Sequence, residues 1–335
     1  MILYVDNLKI QYRTRAGAVH AVDGASFVVP EGRIVGLVGE SGCGKTTAVR
    51  AIMGVLAENG YRAGGRLVFK GQEIDEAATR KLRWRDIAYV PQSAMSSLDP
   101  VYTVGAQIVE VLTKRGGSTR AAAARRAAEL FELVGLSERR LADYPHQFSG
   151  GMRQRAAIAM ALALEPSLLL ADEPVTALDV IVQRQILDTL RALQQRLGLS
   201  IVLVTHDISV VAYLCDEVVV MYAGQVVESG PVREVLARPR HPYTMGLRNA
   251  FPDLMSDAMA LVPIHGSPPD LAAPPPGCRF APRCPFAEAA CRTEFALPSG
   301  KDHFSACRRD AEADQLRTAA LDPVTWQRSL SYAAS

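Results

Sequence analysis

Ile34-Val-Gly-Leu-Val38-Gly39-Glu-Ser-Gly-Cys-Gly-Lys45-Thr46-Thr47 is the stretch that decides the fold. Its first five residues are an apolar run without alternation, the pattern of a strand buried on both faces. Residues 39–46 fit G-x-x-x-x-G-K-[ST] without a mismatch, and residues 46–56 read as a helix. Strand, glycine-rich turn and helix N-terminus together are the setting in which that motif binds phosphate. Glycines at 39, 42 and 44 let backbone N–H groups converge on phosphate oxygens. The helix N-terminus adds a partial positive charge at the same place. Lys45 is placed to reach the β- and γ-phosphates of a nucleotide, and the Thr46 hydroxyl to ligate Mg²⁺. The plain alternative, a glycine-rich turn with no ligand, is disfavoured by the full match in its strand–helix context. Cys43 supplies a backbone N–H to the loop, and its thiol is a candidate for oxidation.

Outward from the loop, apolar strand-like runs alternate with helix-like segments. Strands are expected at 87–90, 167–171, 201–205 and 217–221, and helices at 121–133 and 180–197. That alternation predicts an α/β fold with a largely parallel sheet. Leu168-Leu-Leu-Ala-Asp172-Glu173 is an apolar strand ending in adjacent carboxylates. The C-terminal end of a parallel strand lies on the rim where ligands bind. Asp172 suits Mg²⁺ held through water, and Glu173 suits polarising an attacking water.

The chain has 335 residues, which at ~150 per domain suggests about two domains, or one large domain with an appendage. A 49% hydrophobic composition supplies a core and argues against disorder over most of the chain. Lys and Arg number 37 against 35 Asp and Glu, a net +2 that does not point to a nucleic-acid binder. The longest strictly apolar run, residues 156–164, falls short of the ~20 residues a membrane span needs. Met1-Ile-Leu-Tyr-Val-Asp6 lacks the basic start and long apolar run of a signal peptide, so the expectation is a cytosolic protein, or one held at a membrane by partners.

Composition shifts near residue 263: nine of the twenty prolines lie between Pro263 and Pro298. Such a stretch is neither helix interior nor central strand. A boundary is expected at 240–262, with a small Pro/Cys-rich appendage beyond it and residues 310–335 partly helical or frayed. Cys43 and Cys215 stand alone, whereas Cys278, Cys284, Cys291 and Cys307 share one window with spacing C-x5-C-x6-C-x15-C. In a reducing compartment such a cluster points to metal. The close C-x2-4-C pairs of zinc ribbons are missing. Four thiolates also suit a [4Fe–4S] cluster. Iron–sulfur, structural zinc and a metal-free or disulfide state stay open, and four cysteines suffice without His303.

Phe148-Ser-Gly-Gly-Met-Arg-Gln154-Arg155, upstream of Asp172, resembles the signature segment of ABC-type ATPases, usually written LSGGQ. Phe148 stands for the usual Leu and Met152 for the usual Gln, leaving the Ser-Gly-Gly core intact. Locally, Ser149 followed by Gly150 and Gly151 opens a helix, where a hydroxyl and free N–H groups make an anion site. The resemblance implies a P-loop NTPase of ABC type, with a mostly parallel sheet core, an antiparallel β subdomain and a helical signature subdomain. It implies that Lys45, Gln92, Glu173 and His206 are catalytic. It places the nucleotide on Tyr12, Gly39, Glu40, Ser41, Gly42, Cys43, Gly44, Lys45, Thr46, Thr47, Gln92 and Asp172, with Mg²⁺ on Thr46, Gln92 and Asp172. Ser149, Gly150 and Gly151 then act on the nucleotide of a facing subunit, and Asp179 communicates across that dimer, although an Asp there also reads as a plain helix N-cap.

A finer resemblance is carried by Gln92-Ser-Ala-Met-Ser-Ser-Leu-Asp-Pro100, by His241-Pro-Tyr-Thr244 and by Gly277-Cys-Arg-Phe-Ala-Pro-Arg-Cys-Pro285. These are similar to the peptide/nickel importer branch, the oligopeptide and dipeptide permeases. The likeness implies an ATP-binding domain over 1–240 and a C-terminal extension over 241–335 that carries a [4Fe–4S] cluster in some members. It implies a second ABC ATPase subunit, two transmembrane permease subunits reached through the surface at 92–100, an external solute-binding protein acting indirectly, no nucleic acid, and a peripheral position on the cytoplasmic side of the plasma membrane. Import of nickel or another small solute, a soluble non-transport ABC ATPase, and a metal or redox sensor are the competing readings.

Overall fold

In the computed structural model, residues 1–92, 97–250, 263–296 and 299–327 are described. Strands β1 (Leu3–Thr14) and β2 (Gly17–Val29) form an antiparallel hairpin, Leu3 opposite Val29 and Thr14 opposite Gly17. In β1 the inward set Leu3, Val5, Leu8 and Ile10 breaks step at Asn7, whose φ of 49° marks a bulge that re-phases the strand. Strand β3 (Ile34–Val38) is buried throughout and feeds the glycine-rich loop and helix α1 (Lys45–Met53). The helix stops short of the expected residue 56 because Gly54, with φ 61°, takes the left-handed cap. Next come β4 (Gly60–Phe69), β5 (Gln72–Ile74), α2 (Glu76–Leu82) and β6 (Ile87–Val90). Together β2-β1-β4-β5 make a four-stranded antiparallel sheet.

A helical layer follows: α3 (Val104–Lys114), α4 (Arg120–Leu133) and α5 (Gly150–Ala161), leading into β7 (Leu168–Asp172). Crossover helices α6 (Val180–Leu197) and α7 (Ile208–Leu214) connect β7 to β8 (Ser200–Thr205) and β8 to β9 (Glu217–Tyr222). Strands β10 (Gln225–Pro231) and β11 (Phe304–Ser305) complete a seven-stranded sheet ordered β11-β10-β9-β3-β8-β7-β6. Strands β9, β3, β8, β7 and β6 run parallel, as the unalternating apolar runs predict. Side chains alternate across this sheet. Val35 and Leu37 face the antiparallel sheet and α1, whereas Ile34 and Val38 face the helical layer. Because β3 lies between β8 and β9, and β7 beside β8, the loops after β3, β7 and β8 gather on one rim.

The remaining helices are α8 (Val232–Ala237), α9 (Pro242–Asn249), α10 (Ala289–Thr293), α11 (Ala313–Ala320) and α12 (Pro323–Gln327). Tyr243, Met245, Leu247, Phe280, Leu316 and Trp326 join the same buried cluster as Val220 and Tyr222 of β9. The C-terminal residues therefore share a core with the parallel sheet, and β11 adds Ser305 and Phe304 opposite Glu228 and Ser229. The helical expectation for 310–335 is met by α11 and α12 as far as residue 327. Residues 93–96 of the expected coupling surface, 251–262 of the expected boundary, Pro298 and residues 328–335 lie outside the described residues. No helix among the described residues is long and apolar enough to cross a membrane.

Candidate nucleotide-binding site

The loop at 39–46 is pinned from below. A Cβ on Gly39 would meet the Met221 carbonyl oxygen at 2.1 Å, and one on Gly44 the Ala21 carbonyl oxygen at 2.3 Å. Gly44 also holds φ 101°, so only glycine lets the backbone sit this close to its neighbours there. Ser41 and Gly42 are exposed at the crest. Lys45 is buried, its Nζ donating to the carbonyls of Gly39 (2.7 Å) and Glu40 (2.9 Å). Cys43 is 2% exposed, and burial pushes its thiol pKa up despite the opposing charge of Lys45. The loop thiol is thus a buried neutral group, which corrects the expectation of an oxidation-prone one.

At the end of β7, Asp172 is fully buried and accepts from Thr46 Oγ1 on Oδ1 (3.0 Å) and from Tyr89 OH on Oδ2 (3.1 Å). Burial raises its pKa, and the bonds from Thr46 and Tyr89 oppose the rise. Tyr89 itself is pushed up to about 12 by burial and by the neighbouring carboxylate. Glu173 adopts φ 47°, a left-handed conformation that costs a non-glycine residue ~1–3 kcal/mol and turns its carboxylate toward β8. There Oε2 accepts from Gln92 Nε2 (2.8 Å) and Thr176 Oγ1 (3.0 Å), and Oε1 lies 3.1 Å from His206 Nδ1. Partial burial works to raise the pKa of Glu173, but hydrogen bonds from His206, Thr176 and Gln92 outweigh it and hold the carboxyl below its usual range.

Lys45, Thr46, Gln92, Asp172, Glu173 and His206 are therefore brought together on one rim. Tyr12 stands over the start of α1, its hydroxyl 3.5 Å from Thr47 Oγ1. The signature residues belong to a different element. Ser149 caps α5, its Oγ accepting from Met152 N–H (3.3 Å), and Gly151 lets α5 close on α6, since a Cβ there would meet Val182 at 2.4 Å. Phe148 is buried edge-on against Phe131. Asp179 caps α6 by accepting from Val182 N–H (3.0 Å).

Sequence reasoning missed four residues here: Tyr89 on Asp172, Thr176 on Glu173, and Tyr243 and Arg283 on the phosphate loop. Arg283 places a two-pronged guanidinium on the Glu40 carboxylate (2.7 and 3.0 Å), and Tyr243 OH accepts from Glu40 N–H (2.8 Å). Arg279 of the same segment pairs with Asp23. Tyr89 and Thr176 carry no local pattern, and although Tyr243 and Arg283 lie in the 241–244 and 277–285 stretches, nothing there points to the phosphate loop.

The four clustered cysteines line one cavity with Phe280 and Phe286. All are free thiols. Burial raises the pKa of Cys278, Cys284 and Cys307, the last to about 12. By donor type, four soft sulfurs around one cavity suit a sulfur-ligated group. Among the described residues no group of three or more His, Cys, Asp or Glu side chains is set to hold a metal ion. His303 bonds through Nε2 to Glu228 (2.7 Å), and His241 caps α9 by accepting from Tyr243 N–H (3.1 Å).

Fold and rim together define a phosphate-loop ATPase. Residues 22–176 match the family described as ABC transporter, and residues 227–291 the family described as oligopeptide/dipeptide transporter, C-terminal region. A Brucella melitensis protein described as a peptide import ATP-binding protein is 47% identical over 330 residues, covering 92% of this chain and 97% of that protein. The dipeptide transport ATP-binding protein DppD of Bacillus subtilis is 44% identical over 296 residues, covering 87% and 88%. Among solved structures, the ATP-binding cassette MJ0796 bound to ADP and Pi superposes with TM-score 0.61 at 28% identity, over 69% of this chain and 99% of that one. A cbiO1 subunit from Clostridium perfringens gives TM-score 0.62 at 29% identity, over 70% and 90%. This chain belongs to the ABC transporter family of ATPases.

Proposed function

We propose that this chain is the ATP-hydrolysing subunit of an importer for di- or oligopeptides. The observation that carries the reading is the pairing, in one chain, of an intact phosphate-loop rim with a C-terminal region of the oligopeptide/dipeptide transporter type. Residues 1–240 are the ATP-binding domain and 241–335 the extension. Gly39 to Thr47 cradle the phosphates with Lys45 as the counter-charge, and Tyr12 stacks on the base. Glu173, ionised and flanked by Gln92 and His206, orients and polarises the attacking water. The Thr46 hydroxyl and the Asp172 carboxylate, 3.0 Å apart, are hard oxygen donors fit for Mg²⁺ together with Gln92. When bound, Mg²⁺ neutralises phosphate charge there. Ser149, Gly150, Gly151 and Asp179 serve the nucleotide of a facing ABC subunit, a related second polypeptide.

The motion is passed to two transmembrane permease subunits through the surface at 92–100, and an external solute-binding protein delivers the peptide. The chain sits peripherally on the cytoplasmic side of the inner membrane. Cys278, Cys284, Cys291 and Cys307, which line one cavity, are the residues that would hold a [4Fe–4S] cluster, or zinc in its place, and such a group would staple a proline-rich segment. Iron and zinc analysis of anaerobically purified protein separates these two. For the transport reading, the assembled complex in proteoliposomes is expected to take up a radiolabelled dipeptide only with internal ATP. Uptake of nickel and not of peptide overturns it.

A further inference from the structure

Glu40 is the second residue of the phosphate loop, and two buried side chains from far downstream close on it. Arg283, 6% exposed, spends each of its N–H groups: Nη1 and Nη2 on the Glu40 carboxylate, Nη1 on Tyr222 OH, Nη2 on Ile264 O and Nε on His265 O. A guanidinium bound on every donor is fixed in orientation and fixes what it holds. Tyr243, fully buried between the Tyr222 and Phe280 rings, accepts from the Glu40 backbone N–H. The other face of that residue is in use as well, since the Glu40 carbonyl and that of Gly39 are the acceptors for Lys45 Nζ. A continuous path thus runs from the Cys278–Cys284 turn, which carries Arg283, through Glu40 to the ammonium group of the loop.

We propose that Arg283 and Tyr243 are positioning residues for nucleotide binding. They clamp the Glu40 peptide so that Lys45 stands ready for the phosphates, and ATP affinity thereby depends on the seating of the cysteine-rich segment. The proposal rests on the ATP-site reading above. Neither residue touches the water-polarising Glu173, so the loss falls on binding and not on turnover at saturation.

The test is titration of the full chain with a fluorescent ATP analogue and Mg²⁺, alongside steady-state ATPase of the assembled complex. Tyr243→Phe keeps the ring and removes only the acceptor. Arg283→Ala removes the fork, and Arg283→Lys restores charge without it. Tyr243→Phe is expected to raise Kd and KM by about fivefold, the size of one lost neutral hydrogen bond, and Arg283→Ala by about tenfold or more, since its bonds to Glu40 are charge-assisted, with kcat kept within about twofold in both. Arg283→Lys is expected to recover part of the loss. Combining Glu40→Gln with Arg283→Ala is expected to be no worse than the weaker single variant. Unchanged affinity in folded Tyr243→Phe and Arg283→Ala overturns the proposal, as does a fall in kcat with KM unmoved. If Arg283→Ala does not fold, Tyr243→Phe and Arg283→Lys decide alone. Lys45→Ala run in parallel separates the two readings: if it binds ATP as the parent does, the ATP site itself is misassigned.

Discussion

The rim and the clasp of the C-terminal segment are built by opposite means. On the rim, the residues that matter end or follow short apolar strands: Lys45 after β3, Asp172 at the end of β7, His206 after β8. Parallel pairing then brings them side by side with no further instruction. In the clasp, Arg283 meets a partner 243 positions away and Arg279 one 256 positions away. Buried polar groups hold it: Glu228, fully buried, accepts from the N–H groups of Arg240 (2.7 Å) and His241 (2.9 Å) and meets His303 Nε2. The difference teaches that chemistry here rides on local strand geometry, whereas attachment rides on long-range charge and hydrogen-bond satisfaction.

The largest expected effect strikes the rim alone. Glu173→Gln is expected to slow ATP turnover of the assembled complex by about 10²-fold or more while ATP binding persists, because only the water-polarising charge is lost. Unchanged turnover breaks the assignment of the rim as the chemical half of the molecule. Glu228→Ala strikes the clasp alone. It strands buried donors, each costing ~1–3 kcal/mol, and is expected to lower unfolding stability by about 3 kcal/mol in urea titrations. Because Glu228 touches no rim residue, kcat per folded subunit is expected to hold; a fall in kcat matching that of Glu173→Gln breaks the separation.

These contrasts also explain what a single sequence can and cannot tell. The strands at 34–38 and 87–90 and the helix at 180–197 fall where their apolar patterns put them, since each carries its own burial signal. The antiparallel strands β1, β2 and β4 lack such a signal in the residues themselves. They are half-exposed, and β1 changes phase at Asn7, so neither clean alternation nor a solid apolar run survives. In the site, the loop glycines, Lys45, Thr46 and the Asp172-Glu173 pair are legible because the chemistry needs them contiguous. Tyr89 is not: inside a four-residue strand it looks like packing, and only the register of β6 against β7, Tyr89 beside Leu170, sends its hydroxyl to Asp172. Arg283 and Tyr243 stand in recognisable stretches, but their contact with Glu40 is hidden for the same reason at longer range.

Tyr89 gives a smaller test that sharpens the rim. Tyr89→Phe removes one hydrogen bond to Asp172 and leaves that of Thr46. At about 1 kcal/mol for such a bond, kcat/KM for MgATP is expected to fall by about fivefold. No change means that the second oxygen of Asp172 does not need a fixed partner.

The smallest effect is expected at Cys43, which lies in the loop by sequence but behaves like the core. Reactivity follows the thiolate fraction, and burial raises this pKa, so at neutral pH less thiolate forms than on a free cysteine. Lys45 Nζ, 3.6 Å from the sulfur, pulls the other way and is outweighed. The sign gives a direction for pH: labelling by iodoacetamide is expected to stay slow through pH 7–8 and to rise only above the range where an ordinary thiol, near ~8.5, already reacts. Peptide mapping by mass spectrometry reads the modified fraction directly. Cys43→Ser, which keeps the backbone N–H that the loop uses and nearly the same side-chain volume, is expected to leave ATPase within about twofold, with any cost of the buried hydroxyl appearing as lower stability. Labelling of Cys43 as fast as glutathione at pH 7.5 means that the loop opens enough to hydrate the sulfur, and that the Gly39–Met221 contact under it is looser than 2.1 Å for an added Cβ implies.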